Sequence, residues 1–141
     1  MALLSATDQQ KLKHRLEQMP HPVRLIFFTQ TIGCETCVTA KRILDEVVAL
    51  SPNVTLEEVN FVLDQEQVTR YGIDKVPAIA VVGEEDVGIR FYGTPGGYEF
   101  LSLIDAMLLV SRGESGLSDE SKALVAAVDR PVHLQVFVTP T

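Results

Sequence analysis

Two hydrophobic periods run along this chain, and they separate predicted helices from predicted strands. Near the N-terminus, apolar residues recur at helical spacing, which predicts a first helix over residues 7–19, capped by Thr7 or Asp8. An apolar run over residues 23–29, in which Arg24 is the one charged residue, predicts a strand that is buried on both faces. The remaining predicted helices cover residues 34–50, 64–71, 100–110 and 117–128, and the remaining predicted strands cover residues 54–59, 76–82 and 87–92.

These elements follow one another in the order β-α-β-α-β-β-α, with one further helix at each end of the chain. Alternation of strands with helices predicts an α/β protein, and the acidic turn over residues 83–86 predicts a hairpin between the last two strands. We therefore expect a central mixed sheet flanked by helices, with extra N-terminal and C-terminal helices.

The residues best suited to chemistry are Cys34 and Cys37, the two cysteines of the chain. They lie where the predicted strand over residues 23–29 leads into the next predicted helix. A spacing of three residues places both sulfurs on one face of a helix, close enough to bridge. The free N–H groups and the positive dipole end of the first turn favour a thiolate at Cys34. The pattern predicts a thiol–disulfide exchange pair, with Cys34 as nucleophile and Cys37 as resolving thiol. With the element order, it predicts a thioredoxin-like fold.

Composition narrows the function further. The chain has 141 residues, 46% of them hydrophobic, which suits one globular unit with a sizeable core. A net charge of −7 without a basic cluster argues against nucleic-acid binding. We find no signal peptide and no apolar run of the roughly 20 residues that cross a bilayer, so we expect a cytoplasmic protein. In that reducing compartment a redox or metal-binding pair is favoured over a structural disulfide.

Three segments carry a resemblance to a known family. They are Thr29-Gln30-Thr31-Ile32-Gly33-Cys34-Glu35-Thr36-Cys37, Tyr71-Gly72-Ile73-Asp74-Lys75-Val76-Pro77 and Gly88-Ile89-Arg90-Phe91-Tyr92-Gly93-Thr94-Pro95-Gly96-Gly97-Tyr98-Glu99-Phe100. In this order they resemble the protein disulfide oxidoreductases of thermophilic archaea and bacteria, which are glutaredoxin-like proteins with two tandem thioredoxin-fold units. The chain is similar to the N-terminal unit plus the first strand of the second unit.

The last segment fits that resemblance. Residues 136–141 resemble residues 26–31, which precede the cysteines in the first unit. We therefore predict one thioredoxin/glutaredoxin-like unit over residues 1–130, followed over residues 131–141 by the first strand of a truncated second unit. An unpaired apolar strand tends to pair with another chain, which predicts a homodimer through residues 132–138.

The resemblance also implies which residues bind the substrate and which partner supplies electrons. It implies a cis peptide bond at Val76-Pro77, where the backbone of Val76 would pair with an extended substrate. It implies a thioredoxin-reductase-like flavoenzyme as the electron source. From the cysteine pair itself we expect protein or small-molecule disulfides as substrates, with no organic cofactor and no metal. Glu35 and Thr36 lie between the cysteines and are expected to tune the redox potential. The carboxylate of Glu35 opposes a thiolate at Cys34 and predicts a more reducing pair.

Two other functions stay open at this stage. The unit could be a docking or interaction module of a larger disulfide oxidoreductase, although a docking module needs no resolving thiol. It could also be a metal-binding dimer, since two thiolates fill half of a tetrahedral zinc shell and a second chain would supply the rest. His14, His21 and His133 show no ligand spacing of their own.

Overall fold

A computed structural model describes residues 2–139 and shows a four-stranded mixed sheet flanked by helices. The strands are β1 (Val23–Thr29), β2 (Val54–Asn60), β3 (Ala78–Val82) and β4 (Arg90–Tyr92). Their spatial order is β2-β1-β3-β4, with β1 and β2 parallel and the other pairs antiparallel. The helices are α1 (Ala6–Leu16), α2 (Glu35–Val48), α3 (Gln65–Tyr71), α4 (Tyr98–Arg112) and α5 (Asp119–Ala126). The predicted α/β class and element order are confirmed.

Strand β1 forms the centre of the molecule and separates two hydrophobic clusters. Because side chains alternate along a strand, Leu25 and Phe27 enter the cluster under α1, α2 and α4. Ile26 and Phe28 enter the cluster under α3 on the opposite face. All four side chains are fully buried, and each contributes about 1.5–3 kcal/mol through removal of apolar surface from water. Burial on both faces explains the continuous apolar run in the sequence.

The helices begin and end at residues that suit these positions, and the N-cap of α1 differs from the predicted one. Ser5, not Thr7 or Asp8, caps α1, and its hydroxyl accepts a hydrogen bond from the Asp8 backbone N–H at 3.1 Å. Ser118 caps α5, and Gly72 ends α3 in the left-handed conformation, with φ +64°. Glycine reaches that conformation without the steric cost that a Cβ imposes.

Two strands are shorter than predicted. Strand β3 begins at Ala78 because Pro77 has no N–H to give to the ladder. Strand β4 begins at Arg90 because the connection before it turns at Gly88, which has φ +89°. Among residues 2–139, no helix is both long and apolar enough to span a membrane.

The C-terminal part differs most from expectation. Helix α5 has no buried residue, and residues 131–139 belong to no helix or strand. The expected strand is therefore not formed within this chain, because a strand needs a partner for its backbone hydrogen bonds and none pairs with this segment in the described part of the chain. Pro140 and Thr141, the end of that expected strand, lie outside the described residues.

Candidate active site

The candidate site lies where the central strand meets the first turn of α2. Strand β1 ends at Thr29, and a short loop turns at Gly33, whose φ of +76° places it in the left-handed region. The Gln30 side-chain amide donates a 2.8 Å hydrogen bond to the Ile32 carbonyl and braces the loop. Cys34 is the N-cap residue of α2, and Cys37 lies in its first turn. The central core thus fixes the position of the cysteine pair.

Cys34 and Cys37 form a disulfide, with their Cα atoms 5.4 Å apart. The two sulfurs have different environments. Cys34 is half-buried, whereas only 3% of Cys37 is exposed. An attacking thiolate must reach an incoming disulfide, whereas a resolving thiol needs only to reach its partner sulfur. The roles of Cys34 as nucleophile and Cys37 as resolving thiol stay a prediction.

The residues between the cysteines differ in their contacts. Glu35 is an exposed acid in the first turn of α2. The Thr36 hydroxyl lies 4.0 Å from the sulfur of Cys34, and the Thr36 carbonyl accepts a 3.4 Å hydrogen bond from the Thr94 hydroxyl. This bond links the first turn of α2 to the loop that precedes α4. Both residues are placed beside Cys34, and their tuning role stays a prediction.

The peptide bond between Val76 and Pro77 is cis, as the resemblance implied. Pro77 is buried, and its carbonyl accepts a 2.8 Å hydrogen bond from the Gly93 backbone N–H. Val76 packs against the cluster under α3. The substrate-binding role of these two residues stays a prediction.

Sequence reasoning missed Lys41, which lies one turn after Cys37 on α2. Its ammonium nitrogen hydrogen-bonds both carboxylate oxygens of Asp45, at 2.6 and 2.8 Å, and lies 3.7 Å from Oε2 of Glu58. The Asp45 hydrogen bond, followed by the charge of Glu58, raises the pKa of Lys41. The spacing of four residues from Cys37 to Lys41 and from Lys41 to Asp45 was the available signal.

Metal binding within one chain finds no support in the geometry. Among residues 2–139, no group of three or more histidine, cysteine, aspartate or glutamate side chains is arranged to hold a metal ion. His14, His21 and His133 lie on different segments of the chain.

A strand-to-helix cysteine pair on a mixed sheet, with a cis proline before the third strand, defines a thioredoxin-fold dithiol–disulfide protein. A protein disulfide oxidoreductase from Aeropyrum pernix K1 has a similar structure, with a TM-score of 0.78 and 26% sequence identity over 90% of this chain and 56% of that chain. A domain of the alkyl hydroperoxide reductase AhpF from Enterococcus faecalis has a TM-score of 0.77 at 22% identity, over 90% of this chain and 62% of that one. The chain therefore has a thioredoxin-like fold and is similar to disulfide oxidoreductases of that fold.

A second similarity was not anticipated from the sequence. The alkyl hydroperoxide reductase protein AhpF from Staphylococcus epidermidis is 30% identical over 146 residues, which cover 99% of this chain. The chain spans about a quarter of the length of this curated relative, 25%. No family model matches the chain.

Proposed function

We propose that the protein is a dithiol–disulfide oxidoreductase in which Cys34 attacks and Cys37 resolves. The Cys34 thiolate attacks one sulfur of a substrate disulfide, forms a mixed disulfide and expels the first substrate thiolate. Cys37 then attacks the sulfur of Cys34, re-forms the Cys34–Cys37 disulfide and expels the second substrate thiolate. The two protein thiols lose two electrons, and the substrate disulfide gains them.

One observation carries this proposal: a disulfide joins a half-buried sulfur at the N-cap of α2 to a sulfur that is 3% exposed. A structural disulfide has no need of an accessible sulfur, whereas an exchange reaction begins at one. The N–H groups of the first turn also favour negative charge on the Cys34 sulfur once it is reduced.

The substrates proposed are protein or small-molecule disulfides. The name of the Aeropyrum relative supports protein disulfides, and the similarity to AhpF supports a place in a chain of redox proteins. A thioredoxin-reductase-like flavoenzyme would return two electrons to the disulfide. The exchange uses sulfur chemistry alone, so the proposal includes neither an organic cofactor nor a metal. We also propose that the protein acts in the cytoplasm, whose reducing conditions favour the return of such a disulfide to its dithiol form.

Val76 and Pro77 complete the proposal as the substrate-binding residues. A half-buried Val76 before a buried Pro77 offers a backbone edge to an extended peptide, which can pair with it by main-chain hydrogen bonds. Glu35 and Thr36 adjust the potential from their positions beside Cys34.

The deciding experiment compares Cys34→Ser with Cys37→Ser in the reduction of a protein disulfide, with dithiothreitol as electron donor. Cys34→Ser is expected to abolish the catalysed rate. Cys37→Ser is expected to form a mixed disulfide with the substrate and then stall. A Cys34→Ser variant that still reduced disulfides would refute the proposal.

A second proposal concerns assembly. We propose that residues 131–141 are the first strand of a second unit and that residues 132–138 join two chains into a homodimer. Leu134 and Phe137 are each 86% exposed, and Val136 and Val138 are each 81% exposed. Apolar side chains at this exposure favour association with another surface.

A further inference from the structure

A lysine stands directly before the two residues proposed to bind the substrate. Lys75 precedes Val76, and its side chain is 66% exposed. An extended substrate would pair with the backbone of Val76 by main-chain hydrogen bonds. Since diagonal neighbours across a pair of strands lie within reach of long side chains, Lys75 can contact a substrate side chain close to the reacting cysteine.

The ring of Tyr92 holds the ammonium group of Lys75 in place. The ammonium nitrogen lies 5.0 Å from the centroid of the ring, within the roughly 6 Å over which an aromatic face attracts a cation. Tyr92 pairs with Ala78 across the ladder between β3 and β4. The next residue, Gly93, donates its backbone N–H to the Pro77 carbonyl at 2.8 Å. The ladder therefore fixes the ring, and with it the charge, beside the proposed substrate-binding residues.

The ammonium group of Lys75 has capacity to bind a further carboxylate. Its ion-pair partner is Asp74, whose Oδ1 lies 3.9 Å from the nitrogen, beyond hydrogen-bond distance. The two side chains are 66% and 76% exposed, and ion pairs at such exposure contribute little. An ammonium group has three N–H donors. A carboxylate of the substrate can therefore replace Asp74 at little cost.

Arg90 on β4 shows what a committed cation looks like on the same face of the sheet. Its side chain is only 16% exposed, and its guanidinium hydrogen-bonds both carboxylate oxygens of Asp86, at 2.8 and 2.6 Å. The charge of Arg90 is thus balanced within the protein. Lys75, with its weak and exposed partner, is the cation better suited to meet a substrate.

The overall charge of the protein favours the opposite kind of substrate. A net charge of −7 attracts basic substrates and repels acidic ones, and the exposed carboxylate of Glu35 lies beside Cys34. Exposed charges are largely screened beyond about 8 Å at physiological ionic strength, whereas Lys75 can meet a carboxylate in direct contact. A preference for acidic substrates must therefore come from a local cation.

We propose that Lys75 is a specificity-determining residue that binds an acidic side chain, within about two positions of the reacting cysteine, in a protein disulfide. The proposal rests on the function proposed above and deepens it, because it names the class of protein disulfide that the site prefers. The sulfur chemistry of Cys34 and Cys37 is the same for every substrate.

The test uses short peptides that carry a single cysteine and are joined in identical pairs by a disulfide. Glu, Gln or Lys stands two positions before the cysteine in one series and two positions after it in the other. Each peptide is mixed with reduced protein, the reaction is stopped with acid at successive times, and mass spectrometry measures the reduced protein that remains.

The readout is the rate with the Glu peptide divided by the rate with the Gln peptide. A common change in the reactivity of Cys34 cancels in this ratio. The same ratio measured with dithiothreitol, an uncharged dithiol, corrects for the effect of the peptide charge on its own disulfide. Glutathione disulfide is included as a small-molecule substrate that also carries carboxylates.

Three variants separate the local charge of Lys75 from the net charge of the protein. Lys75→Arg keeps the charge, and Lys75→Glu reverses it. Lys11→Glu makes the same charge change at an exposed position on α1, which packs against the opposite face of the sheet. It is the matched control, because it alters the net charge as Lys75→Glu does.

We expect the wild type to favour the Glu peptide about threefold in one of the two series, a typical effect of an exposed ion pair. Lys75→Arg and Lys11→Glu should keep this preference, whereas Lys75→Glu should favour the Lys peptide instead. In about 1 M salt, where the Debye length is roughly 3 Å, the preference of the wild type should disappear.

The outcomes distinguish this proposal from the function on which it rests. A preference for the Glu peptide that Lys75→Glu reverses and Lys11→Glu retains supports the proposal. Equal rates for the Glu and Gln peptides, or a preference that Lys75→Glu leaves unchanged, overturn it while leaving the dithiol function intact. A dependence on Lys75 that only glutathione disulfide shows overturns the assignment to a protein side chain. A reduced wild type that reacts with neither the peptides nor glutathione disulfide overturns the dithiol function and this proposal together.

Discussion

Cys34 and Cys37 share one disulfide but not one environment, since Cys37 is 3% exposed and Cys34 is half-buried at the N-cap of α2. The difference arises from the helix itself. An N-cap residue lies at the open end of the helix, whereas a residue three positions later can turn toward the core. The fold therefore places two identical side chains in different environments, which supports the different roles proposed for them.

This difference predicts which thiol reacts first. After reduction, a limiting amount of iodoacetamide should alkylate Cys34 at least about tenfold faster than Cys37, because reactivity follows thiolate character and access. Peptide mapping by mass spectrometry measures the two sites separately. The same reaction in denaturant is the control, where the preference should disappear. Equal labelling of both thiols in the folded protein would contradict the assignment of Cys34 as nucleophile.

The position of Glu35 beside Cys34 predicts a reducing potential for the cysteine pair. Its exposed carboxylate in the first turn of α2 opposes a thiolate at Cys34 and thereby destabilises the reduced form. We expect a potential between about −200 and −300 mV, more reducing than the roughly −120 mV of strong oxidants. Glu35→Gln should raise it by about 30 mV, which corresponds to roughly 1.4 kcal/mol for two electrons.

Equilibration in dithiothreitol and glutathione buffers with mass-spectrometric readout measures this potential. Glu120→Gln is the matched control, because Glu120 is also a first-turn acid but belongs to α5, which carries no part of the site. A potential near −120 mV in the wild type, or an equal shift in both variants, would show that Glu35 has no tuning role.

Much of the fold follows from short-range patterns. Helical spacing predicted five helices, because the hydrophobic period of a helix is visible within a few turns of sequence. The apolar run of β1, which only Arg24 interrupts, indicated a strand covered on both faces. The cysteine pair was found because its spacing alone carries the chemistry.

Other features depend on contacts that no local pattern encodes. The approach of Lys41 to Glu58 depends on the parallel pairing of β1 with β2, which brings α2 over the neighbouring strand. The C-terminal segment has a strand-like sequence, yet β structure needs a hydrogen-bonding partner, and residues 131–139 form no ladder with any other part of the chain that the structure describes. The sequence predicted that this segment favours β structure, but it did not predict the conformation that the segment has in the structure.

The ion pair between Asp86 and Arg90 predicts that the folding stability of the protein depends on pH. The Arg90 guanidinium hydrogen-bonds both oxygens of Asp86, at 2.8 and 2.6 Å, and its Nε donates to the Tyr71 carbonyl at 3.0 Å. The Arg90 hydrogen bond holds the pKa of Asp86 below its usual value. A lowered folded pKa stabilises the protein above the ordinary aspartate pKa of about 3.9, and this contribution is lost as pH falls through the folded value.

We therefore expect Asp86→Asn to lower the free energy of unfolding by about 1 kcal/mol at neutral pH. The gap to the wild type should shrink as the pH falls below about 4. Urea denaturation at a series of pH values measures it. Asp74→Asn serves as the control, because Asp74 is 76% exposed and lies 3.9 Å from its partner Lys75, so its effect should stay small. A gap that does not change with pH would contradict the role given to this ion pair.

The C-terminal segment makes the last prediction, which concerns the oligomeric state. Leu134 and Val136 present apolar side chains that are 86% and 81% exposed, and burying them against a second chain would contribute about 25 cal/mol for each Å² of apolar surface removed from water. We expect the wild type to be a dimer at micromolar concentration and the double variant Leu134→Asp, Val136→Asp to be a monomer. Light scattering after size-exclusion chromatography measures both masses.

Leu124→Asp is the matched control for this experiment. Leu124 is 68% exposed on α5, outside the segment proposed to pair. It acquires the same charge as each changed residue of the double variant, so a general effect of added charge on association would lower the mass of both proteins. We expect Leu124→Asp to remain dimeric, because only residues 132–138 are proposed to join the chains. A wild type that stays monomeric at every concentration, or a double variant that stays dimeric, would remove the segment from the interface.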